Sequence, residues 1–153
     1  MKVLILSDSH HSSLLTEILK KERSCDVFLH LGDGAGDMLD TSEFTGCKPV
    51  YTIKGNCDAE AYNFPVRLTS YIGDIKFYAC HGHTHNVKSA LTSLYYAAKE
   101  AECAIAFFGH THTAHNENYD GITLFNPGSV RNGCYGILQI DSNGFSLRHC
   151  TLY

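Results

Sequence analysis

Five short, mainly apolar runs pass directly into residues of the types that bind metals, and that succession constrains the fold more than any other feature. The runs are Val3–Leu6, Val27–Leu31, Val50–Ile53, Ile75–Cys80 and Ala104–Phe108. Their length suits buried strands better than buried helices, and most are bounded by Gly, Asp or Asn. The first leads to Asp8-Ser9-His10, the second to Gly32-Asp33, and the third, through Lys54, to Gly55-Asn56-Cys57-Asp58. The last two lead to His81-Gly82-His83 and Gly109-His110-Thr111-His112. Ligands of open α/β sheets bind at the carboxyl ends of the strands. Five such ends, each delivering Asp, Asn or His, predict one polar cluster at one edge of the sheet. The glycines allow sharp turns and close approach of backbone to a ligand.

Helical patterns alternate with these runs. Ser12-Ser13 precede Leu14, Leu15, Ile18 and Leu19, which recur at helical spacing and predict a capped helix. Leu91, Leu94, Tyr95 and Ala98 fall on one face of a second helix, and residues 35–43 suit a short helical turn. The alternation in the first half predicts parallel βαβ units. The second half carries hairpin signals at Gly73-Asp74, Asp120-Gly121 and Asn143-Gly144, with strands and no helix after residue 114. The expectation is α/β, with a mixed sheet or two packed sheets flanked by helices, and a single domain over 1–153.

Composition narrows the function. Hydrophobic residues are 44% and charged residues 18%, a globular balance, and the formal net charge is −4. That charge argues against a protein that coats duplex nucleic acid or a membrane surface. The seven Cys form no CxxC pair and suit reduced thiols, with all except Cys57 expected as small buried hydrophobes. The apolar start at Val3–Leu6 is too short for a signal core, and no run approaches membrane-spanning length. A cytoplasmic location is expected.

Carboxylate, carboxamide and imidazole donors without an evident thiolate suit Mn, Fe, Ni or Zn better than Ca or a structural Cys-zinc site. Seven candidates exceed the needs of one tetrahedral ion and match two ions sharing one carboxylate. Taken alone, Asp-x-His reads as a loop, Gly-Asn-x-Asp as a turn, and Asp after a strand as a helix cap. Their joint occurrence reverses those readings, because turns do not require His at three of five strand ends. His11, His83, His85 and His115 are expected at the surface or in supporting roles, His30 as a hydrogen-bonded core residue and His149 at the periphery. Tyr95, Tyr96, Phe107 and Phe108 read as core.

The ordered set Asp8-x-His10, Gly32-Asp33, Gly55-Asn56, His81-Gly82 and Gly109-His110-Thr111-His112 resembles the calcineurin-like metallophosphoesterase family. It is most similar to that family's small, cap-less prokaryotic phosphodiesterases. The likeness runs from residue 3 to about residue 131 and includes Asn126-Pro127-Gly128-Ser129, a turn with an expected part in shaping the site. The resemblance implies a four-layer sandwich, two packed mixed β-sheets flanked by helices. It also implies one metal on Asp8, His10, Asp33 and His112, a second on Asp33, Asn56, His81 and His110, and Asp33 bridging. Gly-His-Thr-His occurs at both 82–85 and 109–112. The double-ligand role goes to the later copy, which follows a fresh apolar run and comes last in the chain. Many relatives carry His after the Asn, where Cys57 stands here, as it often does in the small prokaryotic subgroup.

Those implications make Asn56, Cys57, Asp58 and His81 the catalytic group. Cys57 is expected beside the metals but outside their coordination, facing substrate, and Asp58 is expected to tie the loop down. The implied activity is metal-dependent phosphoester hydrolysis, by a hydroxide that bridges two divalent ions (Mn, Ni, Fe or Zn) and attacks phosphorus in line. Two dications, two carboxylates and a hydroxide leave a single positive charge, which suits a phosphodiester at least as well as a monoester. No capping domain is expected. The alternatives are a phosphomonoesterase, or a protein-interaction scaffold of the same fold like a retromer subunit. A small phosphoester partner is expected, with no specific nucleic acid and no membrane; a homo-oligomer is left open.

Overall fold

Alternation along each apolar run sets the layering. The computed structural model describes residues 1–60 and 63–153. Its strands are β1 (Lys2–Leu6), β2 (Val27–His30), β3 (Val50–Thr52), β4 (Arg67–Ile72), β5 (Ile75–Cys80), β6 (Ile105–Phe107), β7 (His115–Tyr119), β8 (Ile122–Asn126), β9 (Cys134–Asp141) and β10 (Gly144–Thr151). Its α-helices are α1 (Leu14–Lys21), α2 (Ser42–Thr45) and α3 (Thr92–Glu100). Short 3-10 turns cover Ala35–Met38, His83–His85 and Val130–Asn132.

The strands form two five-stranded sheets, in the orders β10-β9-β1-β2-β3 and β4-β5-β6-β8-β7. Each is mixed. In the first, β1, β2 and β3 run parallel, with β9 antiparallel to β1 and β10 antiparallel to β9. In the second, β5, β6 and β8 are parallel, and β4 and β7 close the edges antiparallel.

Val3, Ile5, Leu29, Phe77, Ala79, Ile105, Phe107, Phe125 and Leu138 form the core between the sheets. Their neighbours along the strands face the opposite way. Leu4, Leu6 and Phe28 pack with Leu15, Ile18 and Leu19 of α1. Tyr78, Cys80, Ala106 and Phe108 pack with Leu94 and Ala98 of α3. The result is helix, sheet, sheet, helix, the sandwich the sequence predicts. Strands buried on both faces explain why these runs are apolar throughout.

The local expectations hold with adjustments. Residues 35–43 divide into the 3-10 turn and the start of α2. Helix α1 begins at Leu14, and the capping contact comes from Ser12 Oγ, which accepts from Leu14 N at 3.3 Å. Asp120-Gly121 forms a two-residue turn between Tyr119 and Ile122. The last turn is shifted by one residue, because Gly144 already pairs with Asp141. Tyr96 is not core: it is 57% exposed, two residues from Leu94 and so nearly opposite it on α3. Val50 is exposed at the start of edge strand β3. Cys47 is also exposed, on the turn after α2, whereas Cys25, Cys80 and Cys103 are buried and Cys134 and Cys150 half-buried; all seven thiols are free.

Phe107 is fully buried, edge-on to Phe77 and Phe125 with ring centroids 5.8 and 6.2 Å away. Its side chain belongs to the core that the two sheets share. Phe107→Ala is expected to cost about 3–5 kcal/mol through the lost transfer energy and the cavity left behind. A urea titration at fixed metal content measures it.

Candidate metal centre

Parallel pairing brings the ends of β1, β2 and β3 to one edge of the first sheet, and those of β5 and β6 to one edge of the second. Backbone hydrogen bonds then lock the loops together. Asp8 N donates to Gly32 O, His10 N to Asp33 O, and Gly109 N to His81 O, all at 2.9–3.0 Å. Five of the predicted ligands, Asp8, His10, Asp33, His110 and His112, lie at positive φ, from 44 to 67°. Non-glycine residues rarely adopt that conformation, and it clusters at functional sites where the surroundings over-determine the backbone. The glycines answer to close approach. A Cβ on Gly55 would overlap the Asp33 carboxylate, and one on Gly109 would overlap Ser7 and Asp8.

Each buried donor is anchored at one atom and leaves another facing the cluster. Asp8 Oδ2 accepts from Ser7 Oγ at 2.5 Å and from His110 N at 3.1 Å. Asp33 Oδ1 accepts from Cys57 N at 2.8 Å. His81 Nδ1 lies 2.8 Å from Leu31 O and can only donate to that carbonyl, so Nε2 presents its lone pair. Among the described residues, four buried side-chain atoms lack a hydrogen-bond partner: Asp8 Oδ1 and His81 Nε2 at the cluster, and His83 Nδ1 and His115 Nε2 outside the predicted ligand set.

The two orphaned atoms at the cluster test whether cations fit. Asp8 Oδ1 has His112 Nε2 at 3.1 Å, His81 Nε2 at 3.8 Å and His10 Nε2 at 4.0 Å. Asp33 Oδ2 has His81 Nε2 at 3.3 Å and His10 Nε2 at 3.8 Å. Asp8, His10 and His112 offer ligand atoms within 4.8 Å of one another, as do Asp33, His81 and His110. Buried polar atoms without partners are costly unless a further group satisfies them. Imidazole nitrogens and carboxylate oxygens so arranged fit divalent transition metals, and Asp33 Oδ2, between His10 and His81, suits a shared position.

The loop after β3 carries the other predicted residues. Asn56 is exposed, and its amide donates to Cys57 Sγ at 3.4 Å. Cys57 Sγ itself lies within 4.8 Å of ligand atoms of His10 and Asp33. Asp58 is fully engaged by backbone: its oxygens accept from the N–H groups of Asp33, Gly34, Ala35 and Gly55 at 2.7–3.0 Å. These bonds tie the Asp33 loop to the Asn56 loop and leave neither Asp58 oxygen without a backbone donor.

Ser9 and Asp37 support the site without a sequence signal beyond their polarity, whereas His30 was already expected as a hydrogen-bonded core residue and the Asn126–Ser129 turn as shaping the site. Ser9 Oγ donates to Asp37 Oδ2 at 2.6 Å, and Asp37 Oδ1 meets His11 Nδ1 at 2.5 Å. His30, fully buried as expected, accepts from Gly32 N through Nδ1 and reaches Ser9 Oγ through Nε2. Buried Asn126 donates to Gly109 O at 2.9 Å and Thr111 Oγ1 at 3.0 Å, while Ser129 Oγ donates to Asp8 O at 2.9 Å. The Asn126–Ser129 turn therefore holds the first and last ligand loops. The His83 ring is tilted against His81 and edge-on to His110, at 5.6 and 6.2 Å between ring centroids, and His85 bridges Tyr78 and Ser93. Exposed His149 stacks on Phe125 and reaches Asn126 O. His115, half-buried, opens β7.

The electrostatics are those of a coupled cluster. Burial alone would raise the Asp33 carboxyl, but His81 and the Cys57 N–H outweigh it and hold it well below the usual range. Burial opposes protonation of His81, yet the Asp33 and Asp8 carboxylates raise it. His110 is lowered, first by burial and then by His81 and Lys88. Desolvation, then the Asp33 carboxylate, push the Cys57 thiol up and keep it protonated. Burial pushes His30 down to about 4. A larger cavity of about 530 Å³ lies between α3 and the β7–β8 hairpin, lined by Tyr95, Tyr96 and Tyr119, with none of these ligands in its wall.

The whole chain resembles known proteins. The model of the calcineurin-like phosphoesterase superfamily domain matches residues 1–143. Probable metallophosphoesterase YsnB of Bacillus subtilis is 35% identical over 156 residues, covering 97% of this chain and 89% of that protein. The crystal structure of a conserved Streptococcus pneumoniae protein, described as a predicted phosphoesterase, superposes with a TM-score of 0.82 at 28% identity, covering 99% of this chain and 89% of the other. An archaeal phosphodiesterase shares the fold, with a TM-score of 0.77 at 21% identity over 98% of this chain and 100% of its own.

Asp58 yields a prediction with a definite sign. Burial would raise its carboxyl, but four backbone N–H groups lower it. A group whose pKa is depressed on folding stabilises the fold above its unfolded value, here the ordinary 3.8, and loses that contribution as pH falls through the folded value. Asp58→Asn faces two of those N–H groups with an NH2. It is expected to lose about 1–3 kcal/mol at pH 7. The gap from wild type narrows as pH drops below 3.8, read by denaturant titration of metal-free protein.

Proposed function

Because the chain belongs to the calcineurin-like phosphoesterase superfamily, we propose that it is a metal-dependent phosphodiesterase acting on a small substrate in the cytoplasm. The observation that carries this reading is the anchoring pattern: Asp8, Asp33 and His81 are each fixed at one atom and turn the other to a common centre. Asp8, His10 and His112 would hold one divalent ion, and Asp33, His81 and His110 the other, with Asp33 shared and Asn56 completing the second set. When bound, such a pair supplies Lewis acidity and an activated water at neutral pH, and clamps the attacking and leaving oxygens of an in-line displacement.

The chain's own residues do the rest. Ser7 and the His110 N–H hold Asp8, Leu31 O sets the His81 tautomer, and Asp58 fixes the backbone that presents Asp33. Cys57 stands toward substrate. A neutral thiol is a weak donor and carries no imidazolium charge, so its help to a leaving alkoxide is small and good leaving groups react best. Two carboxylates beside two dications suit a singly charged diester. The complete donor set supports an enzyme over an interaction scaffold of the same fold.

The decisive experiment combines metal analysis with turnover. Chelation is expected to abolish hydrolysis of bis(4-nitrophenyl) phosphate, and add-back of Mn, Ni, Fe or Zn to restore it at two ions per chain. Saturation at one ion overturns the binuclear reading, and no turnover with any metal overturns the enzymatic one.

A series of variants separates the roles. Under metal excess Asp33→Ala is expected to lose more activity than His112→Ala, since Asp33 serves both ions. Cys57→Ala is expected to keep both ions and measurable hydrolysis of the activated diester. Loss of an ion in that variant, with the fold intact by circular dichroism, makes the thiol a ligand.

A further inference from the structure

A cleft of about 460 Å³ opens beside the metal centre, and Cys57 stands in both. Its wall runs from Cys57 past His11 to Leu39, Glu60 and Phe64. Among these described lining residues there is no Lys or Arg. His11 Nδ1 is held 2.5 Å from Asp37 Oδ1, and Asp58 spends its oxygens on backbone N–H groups. Glu60 adds a negative charge. Leu39 is 69% exposed at the end of the 3-10 turn, a large apolar side chain facing water beside a polar site. The volume lies in the range of small-molecule sites, which combine apolar walls with a few polar groups.

We propose that this cleft seats an uncharged aromatic ester group of the substrate, so that the preferred substrate is an aryl-type phosphodiester with no second anionic group on that side. The assignment rests on the phosphodiesterase reading and deepens it. A phosphoryl group bound at the metals places one ester substituent next to Cys57, at the near end of the cleft. A ring extending from there meets Leu39 and Phe64, and its burial favours binding in proportion to the apolar area covered. A second phosphate or carboxylate in the same place faces Glu60 and meets no Lys or Arg among the described lining residues.

The test uses metal-loaded protein and titration calorimetry with diphenyl phosphate, dimethyl phosphate and 4-carboxyphenyl phenyl phosphate, whose leaving groups are poor enough for binding to be read. Wild type is expected to bind the diphenyl ester roughly tenfold tighter than the dimethyl ester, the scale of one well-filled apolar contact set. Leu39→Ala is expected to cut that preference by about threefold or more and Leu39→Glu further, because each removes apolar wall from the cleft. Being on the surface, Leu39 tolerates both changes without unfolding. The carboxylated ester is expected to bind more weakly than its parent. Equal affinities in wild type, a preference untouched in both variants, or tighter binding of the carboxylated ester each overturns the cleft assignment. Turnover of bis(4-nitrophenyl) phosphate reports separately: its absence with every metal sinks the phosphodiesterase reading, while the binding data still decide what the cleft holds.

Discussion

Carboxylates and imidazoles gathered in a buried cluster carry a desolvation cost that only specific partners offset. Here the partners are largely backbone. Asp58 gathers four N–H groups from two loops, and through them fixes where Asp33 stands. Leu31 O, in the first sheet's loop, fixes His81 at the end of the second sheet. Asp8 closes the circle by accepting from His110 N, from the loop after β6. Each link joins a different pair of loops, so the site and the packing of one sheet on the other constrain each other.

That mutual constraint explains the backbone. Five predicted ligands sit at positive φ, a conformation that costs of order 1–3 kcal/mol each in non-glycine residues. Such strain persists only when the rest of the fold over-determines it. The aromatic core formed by Phe77, Phe107 and Phe125 and the Asn126–Ser129 turn supply that determination. A loop free to relax would move its donor away from the common centre, so the geometry that serves binding belongs to the least relaxed part of the chain.

The site also divides its surroundings by chemistry. On one side, His83, His85 and Lys88 follow β5, and the field of Lys88 reaches His110. On the other, the wall from Cys57 to Leu39 and Phe64 offers apolar surface and carboxylate charge without Lys or Arg among its described residues. On the proposed reading, a bound phosphoester would meet unlike walls, and that asymmetry would favour one ester substituent over the other.

Much was legible in the chain itself. Runs of four to six mainly apolar residues suit buried strands better than buried helices because they are too short for a helix, although Val50 on edge strand β3 is exposed. Asp and His at the ends of those strands then follow from the parallel topology, and the order of the motifs already pointed to the family. Tyr96 and Cys47 escaped, since an apolar residue type does not report which side of a helix or turn it occupies. Ser7 and Asp37 escaped because a polar residue in a loop looks the same whether it faces water or another polar side chain of the site. Chemistry carried by residue type and spacing is local, so the sequence by itself determined the candidate donors and the strands that carry them. Which atom of each donor is anchored, which is left for a cation, and which apolar wall borders the centre are set by contacts between distant segments, and only the packing of the two sheets decided them.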